Sequence, residues 1–351
     1  MDSRYRALCQ WVALQLNQDE VELSVVSGDA SFRRYFRYTS EGESWIAMDA
    51  PPEKEDSSSF VSIAKNWISK GIQVPLIKAL NLKDGFMLLS DFGEKLLLSS
   101  LEPKRPNEQQ GEHYYSKAMN ALAQIQILDS RQLGLPSYDS GLLRREMALF
   151  KDWLIEAKLG LSLSDEESKG LIACLSLLEE RALAQGQVTV HRDFHARNLM
   201  ICDDDSLGII DFQDAVCGPV TYDLVSLLRD CYIVWPSDSV TKWCKDFYDL
   251  LLEQKPEAIN ELGDFKHFKE DFDLMGLQRH LKVAGIFARL SLRDGKHAYL
   301  ADIPRTLEYI LSASKQLISD SPSQFNVLNN LVNLIENRVL PLTKHSVFLQ
   351  E

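Results

Sequence analysis

Residues 188–215 read VTVHRDFHARNLMICDDDSLGIIDFQDA, and the rest of the chain can be organised around this stretch. Two short apolar runs, LMIC and LGII, flank the polar turn DDDS, the pattern of a β-hairpin. Pairing Cys202 with Leu207 closes a four-residue loop, and the same register sets Leu199 opposite Ile210 and Asn198 opposite Asp211. Cross-strand neighbours have Cβ atoms roughly 4.5–5.5 Å apart. An amide oxygen and a carboxylate are therefore expected together at the open end of the hairpin. Hard cations such as Mg²⁺ take oxygen ligands of this kind, and need few from the protein where phosphates supply the others. Asp193 lies five residues before Asn198, in a loop too short to wander far. A carboxylate so placed can accept the proton of an attacking hydroxyl. Positioning and charge neutralisation are what phosphoryl transfer needs, and these three residues offer both. His191-x-Asp193-x-His195 also has metal-ligand spacing, but the chain's seven histidines form no second cluster for a zinc site. His191 is expected to hold the loop by hydrogen bonds.

Upstream, residues 21–49 alternate apolar and polar in three runs, VELSVV, FRRYFRYT and WIAMDA, and predict an antiparallel meander. The linker PPEKEDSSS leads into a helix carrying Phe60, Ile63, Ala64, Trp67 and Ile68 on one face, which Gly71 and Pro75 stop. PLIKAL and FMLLS add two strands around the turn NLKDG. Beyond Gly93 helical periodicity dominates, at about 106–129, 140–158, 164–185 and 221–232, and Ser164 with Glu167 forms a capping box. The fold class is α+β and bilobal: a small antiparallel sheet with one helix over residues 1–92, and a mainly helical lobe over 93–351.

The 351 residues are enough for two such lobes, and the 45% hydrophobic and 25% charged content is that of a globular protein. A net charge of −13 argues against nucleic acid or an anionic membrane as partner. Six cysteines form no CxxC pair, and no apolar run reaches the length of a membrane span. A cytoplasmic location with reduced thiols is expected; the oligomeric state is not legible.

The spacing H-R-D-x-x-x-x-N, followed by a strand, a turn, a strand and I-D-F, resembles the aminoglycoside phosphotransferase-like kinases, a branch of the protein-kinase-like fold. That resemblance covers nearly the whole chain and is sharpest at 188–230. It implies that ATP and Mg²⁺ are used, that Asp193 is the catalytic base, and that Asn198 and Asp211 hold the metal. It also implies that Asp223, in GPVTYDL, braces the catalytic loop. GDASFRRYFR, AMDAPPE, HRDFHARNLM and QRHLKVAGIFARLSLRDGK are similar to a narrower group, the anomeric amino-sugar kinases of cell-wall recycling. Those enzymes phosphorylate the C1 hydroxyl of N-acetylmuramate and N-acetylglucosamine, so a small sugar is the implied acceptor. Kinases of another alcohol, such as an aminoglycoside or choline, and a non-catalytic nucleotide-binding module are the alternatives. A protein kinase is disfavoured, because Gly218 follows Asp211 by only seven positions and leaves no room for an activation segment.

The pattern departs from the wider kinase fold in one respect. Met48 stands where the third strand should carry a lysine, and the helix SSSFVSIAKNWISKG has no acid to pair with one. The phosphates then need another cation, and Arg33 or Arg34 is expected to supply it, after the turn Gly28, Asp29, Ala30 and Ser31 over the nucleotide. The string DFG at Asp91–Gly93 lies about a hundred positions too early to bind metal. Leu89, Ser90, Asp91 and Phe92 are instead expected to form the hinge facing adenine. On a predicted helix over 273–293, Arg279, Lys282, Arg289 and Arg293 make a basic stripe opposite Leu274, Leu277, Leu281, Ala284, Ala288 and Leu292. Such a stripe suits an acidic group on the acceptor. Arg144, Arg229 and Asp230 are further candidates for lining the acceptor pocket.

Overall fold

A computed structural model describes residues 2–28, 32–40, 42–104, 106–254 and 262–343, with backbone alone at Ser27 and Gly28. It divides into two compact units: Met1–Ser100 with Ala196–Ala215, and Leu101–His195 with Val216–Glu351.

The first unit is built on a five-stranded antiparallel sheet in the order β1-β2-β3-β5-β4. Its strands are β1 (Ser24–Gly28), β2 (Arg34–Ser40), β3 (Glu43–Asp49), β4 (Ile77–Asn81) and β5 (Phe86–Ser90). Helix α1 (Ser3–Leu16) lays Leu8, Val12 and Ala13 on one face, against Phe36, Tyr38, Ala47, Phe86 and Leu88. Side chains alternate along a strand, so Met48, opposite Met87, belongs to the other face and is fully buried there. Helix α2 (Ser58–Ser69) buries Phe60, Ile63, Ala64 and Trp67, the apolar face expected of it. The predicted order of three strands, one helix and two strands is observed.

The hairpin of β7 (Leu199–Ile201) and β8 (Leu207–Ile209) belongs to this first unit, and so does the one-turn helix α3 (Leu97–Ser100). Backbone bonds hold them together: Ile201 N donates to Lys95 O at 2.8 Å, Leu98 N to Ala196 O at 2.9 Å and Ile209 N to Gln73 O at 2.8 Å. These pairings run past residue 92, so the unit extends to Ser100 and takes in a segment from far along the chain.

The hairpin's register differs by one residue from the expected one. Leu199 pairs with Ile209 and Ile201 with Leu207. The cause lies in the turn. Cys202 N donates to Ser206 O, Asp205 N donates to Cys202 O, and Asp205 takes φ +63°. A tight turn closed by one left-handed residue gives a three-residue loop, a common hairpin connection.

The second unit is helical. Its principal members are α4 (Glu108–Gln126), α5 (Ser140–Leu149), α6 (Asp165–Ala184), α7 (Tyr222–Leu228), α8 (Ser237–Gln254), α9 (Phe265–Asp294) and α10 (Ile303–Asp320). The Ser164–Glu167 capping box is present at the start of α6. α5 runs on as a π-helix over Phe150–Lys158. A short antiparallel pair, β6 (Gln187–Val190) with β9 (Val216–Pro219), delivers the chain to His191. α9 is the axis of the unit. It is 30 residues long, longer than expected, and packs against α5, α6, α7 and α10. Being surrounded, it buries Arg279 and Lys282 along with its apolar residues, while Leu292 and Arg293 near its end are exposed. The predicted stripe is thus split between interior and surface. Among the described residues no helix is long and apolar enough to cross a membrane.

Candidate active site

Asp211 leaves β8 at φ +66°, a left-handed conformation that a short polar side chain tolerates better than most. Its neighbour Phe212 is fully buried, with ring centroids 4.8 Å from Phe60 and 5.6 Å from Trp67 of α2. That aromatic wedge fixes the turn and aims Asp211 off the strand. Asn198 Nδ2 donates to Asp211 Oδ2 at 3.3 Å, and Gln213 Nε2 donates to Oδ1 at 2.7 Å. The expected meeting of Asn198 with Asp211 therefore occurs despite the shifted register, because Asp211 turns back. Gln213 was not anticipated; its place two residues after Asp211 was the available signal.

Asn198 and Asp211 carry an amide oxygen and a carboxylate, which suit a hard cation, and in this structure Asn198 turns its amide nitrogen to the carboxylate. Among the described residues no three His, Cys, Asp or Glu side chains converge as a metal cage. A two-residue oxygen set fits Mg²⁺ arriving with phosphates better than a permanent protein-bound ion.

In the second unit the segment following β6 is pinned by α7. The Asp223 carboxylate accepts from His191 N at 2.6 Å and from Arg192 N at 3.0 Å. Arg192 sits at φ +78°. The fully buried His191 ring accepts from Asp193 N through Nδ1 at 3.3 Å. Burial acts to raise the Asp193 carboxyl, but the cations around it, Lys282 foremost and Arg279 among them, outweigh it and hold the group down to about 2. Asp193 is therefore a carboxylate at any working pH. Burial, with the Asp193 charge adding to it, pushes the Asp223 carboxyl up to about 7 despite its two backbone donors.

Opposite pH trends follow for stability and turnover. Between about pH 4 and pH 7 the native protein holds a proton on Asp223 that the unfolded chain has lost, so the fold weakens as pH rises across that window. Ionised Asp223 makes the stronger bonds to the loop. Turnover is expected to rise through about pH 7 while the denaturation midpoint falls. A turnover profile flat across this range contradicts the bracing role.

The family model described as "APH: Phosphotransferase enzyme family" matches residues 22–261. The chain belongs to this phosphotransferase family. It is 41% identical over 319 residues to a protein from Pseudomonas putida named N-acetylmuramate/N-acetylglucosamine kinase, covering 88% of this chain and 91% of that one. The choline kinase LicA from Streptococcus pneumoniae has the same fold, with a TM-score of 0.60 at 12% identity over 89% of this chain and 100% of that one. ADP-bound aminoglycoside phosphotransferase APH(2'')-Ib gives a TM-score of 0.56 at 16% identity, over 88% and 98%.

The phosphotransferase's other expected site residues fall in different surroundings. Asp29, Ala30 and Ser31 lie outside the described residues, and of Gly28 only the backbone is described. Arg33 is 8% exposed and pairs with Glu55 at 3.0 Å. Arg34 lies on the α1 face, over the Phe36 ring, and binds the buried Asp49, which Arg4 also holds, and Asp2. In the segment expected to form the hinge, Asp91 accepts from Arg37 Nε at 2.6 Å and from Ser44 Oγ at 2.5 Å. Phe92 packs so closely on Gly208 that a Cβ there would stand 2.4 Å from its ring. A cavity of about 510 Å³ opens beside Asp91 and Phe92, lined also by Arg37, Ser44, Gln73 and Cys202. Leu89 is buried in β5, and Ser90 closes that strand.

On the acceptor side, Arg279 and Lys282 both act electrostatically on Asp193, whereas Arg144 and Arg229 have other partners. Arg144 is exposed and binds Glu179 at 2.6 Å. Arg229 binds Asp273 at 2.5 Å and lies over the Phe272 ring. Asp230 is buried and accepts from Tyr232 N at 2.9 Å.

Proposed function

We propose that this phosphotransferase moves the γ-phosphoryl group of ATP to the anomeric C1 hydroxyl of N-acetylmuramate or N-acetylglucosamine, in the cytoplasm. Asp193 accepts the hydroxyl proton as the oxygen attacks. Asn198 and Asp211 would hold Mg²⁺, which screens the phosphate charge when bound. Leu89–Phe92 form the hinge for adenine. The similarity to the Pseudomonas putida protein, which extends over both units, supports the sugar.

The observation that carries the acidic acceptor is Arg279. This guanidinium is 4% exposed, and its Nη1 is buried with no hydrogen-bond partner. An unsatisfied buried N–H of a charged group is costly, and a carboxylate arriving with the substrate removes that cost. Lys282 is already bound to Glu146 and Tyr222. A cationic acceptor such as choline would meet the positive field of Arg279. The test is an acceptor series with labelled ATP: N-acetylmuramate, N-acetylglucosamine, their C1-O-methyl glycosides, choline and an aminoglycoside. Phosphorylation of the two free sugars alone is expected. Labelling of a C1-blocked glycoside would rule out the anomeric hydroxyl. Arg279→Met is expected to lower kcat/KM about tenfold more for N-acetylmuramate than for N-acetylglucosamine, since only the former carries a carboxylate. Equal losses would remove Arg279 as its receptor.

Arg33 is the cation proposed to compensate for Met48. Arg33→Ala is expected to raise KM for ATP about tenfold, while Arg34→Ala, which breaks the Asp49 cluster under α1, lowers thermal stability and leaves KM unchanged. An unaltered KM in Arg33→Ala would dismiss the idea.

A further inference from the structure

Glu146 on α5 is a buried carboxylate, 6% exposed, on which three other parts of the second unit converge. Its Oε1 takes Arg192 Nη2 at 2.6 Å and Lys282 Nζ of α9 at 3.0 Å. The Tyr138 hydroxyl donates to Oε2, and Gln278 Nε2 donates to that hydroxyl at 2.9 Å. Lys282 Nζ also donates to the Tyr222 hydroxyl of α7 at 2.9 Å. Burial alone would raise the Glu146 carboxyl; Lys282 and Arg192 hold it below its ordinary range, so it stays charged.

Two features set this cluster apart from an ordinary interior ion pair. Arg192 immediately precedes Asp193 and occupies φ +78°, a conformation costly for an arginine and sustained only when the surroundings enforce it. The backbone of the same residue is tied to Asp223. The loop is thus pinned by α7 through its main chain and by α5 through the Arg192 side chain. The second cation on Glu146, Lys282, is the largest of the charges that keep Asp193 ionised.

We propose that Glu146 is a positioning residue for phosphoryl transfer: by holding Arg192 and Lys282 together it fixes the direction of the Asp193 carboxylate and keeps a cation beside it. This role rests on Asp193 being the base. Glu146 acts through its partners and touches neither substrate. A misplacement of about 1 Å at a reacting group can cost about a hundredfold in rate, so a tether of this kind is visible in kcat.

Arg192→Gly is the sharpest test. Glycine adopts the positive φ at no steric cost, so the tether is deleted while the backbone keeps its path. Turnover is expected to fall about tenfold to a hundredfold, with KM for ATP and for the sugar within about twofold of wild type. Arg192→Lys, which retains a cation able to reach Glu146, is expected to recover most of the loss. Glu146→Gln, which loosens Lys282 as well as Arg192, is expected to lose at least as much as Arg192→Gly, and the double variant to be no slower than Glu146→Gln, because the Arg192 linkage is already broken there. Wild-type turnover in folded Arg192→Gly overturns the proposal. So does a loss that Arg192→Lys fails to recover, or one confined to KM. If Glu146→Gln does not fold, the Arg192 pair decides alone. Asp193→Asn is assayed beside them. If it is active, the base assignment and this proposal both fall; if it is inactive while Arg192→Gly is normal, only this proposal falls.

Discussion

Asp193→Asn is expected to lower kcat about a thousandfold while leaving ATP binding within a few-fold of wild type. The substitution keeps the size of the side chain and removes its ability to take a proton. The wild-type group is a carboxylate held down to about 2, so near neutral pH it is ready to accept a proton. Its basicity is low because Lys282 and Arg279 stand near it. A group of that basicity would serve as a partner for a proton that leaves as the new phosphate ester bond forms, and not as a strong base that ionises the hydroxyl beforehand. Steady-state rates at saturating ATP and sugar, with calorimetric titration of the nucleotide, separate the two quantities. A fall in kcat below about tenfold would strip Asp193 of its role.

The second large effect is at Asp211. Asp211→Asn is expected to weaken Mg·ATP binding and reduce kcat/KM for ATP by a hundredfold or more, since a bound cation contributes several kcal/mol of charge stabilisation, on the order of a hundredfold to a thousandfold. Asparagine is chosen over alanine because the residue stands at φ +66°, where asparagine is tolerated. Phe212 stays wedged between Phe60 and Trp67, so the fold is expected to survive. Raising the Mg²⁺ concentration should recover part of the loss. The contrast with Asp193→Asn is the informative part. One variant binds nucleotide and does not turn it over, and the other fails at binding. Normal Mg·ATP affinity in Asp211→Asn would mean that the cation is held elsewhere.

The hairpin and the residues that flank it were legible because their signals are local. LMIC and LGII are apolar runs around a polar turn, and Asn198 and Asp211 stand just outside them. The register was not legible to the residue, because DDDS does not reveal that Asp205 goes left-handed and shortens the loop. The succession of three strands, one helix and two strands followed from alternation and from helical spacing. The split of the α9 stripe was hidden, because it depends on which helices pack around Arg279 and Lys282. The Glu146 cluster was hidden for the same reason. Its cations lie 46 and 136 positions away in the chain, and no periodicity announces them. Asp49 is a comparable case: an acid in an apolar strand whose partners Arg4 and Arg34 come from α1 and β2.

Phosphorus NMR of the product formed from ATP and N-acetylmuramate tests the central claim most directly. A phosphate signal split by the sugar's anomeric proton, appearing in step with ADP and absent without Mg²⁺, is the predicted result. Phosphate on any other hydroxyl, or ADP formed with no sugar phosphate, would contradict it.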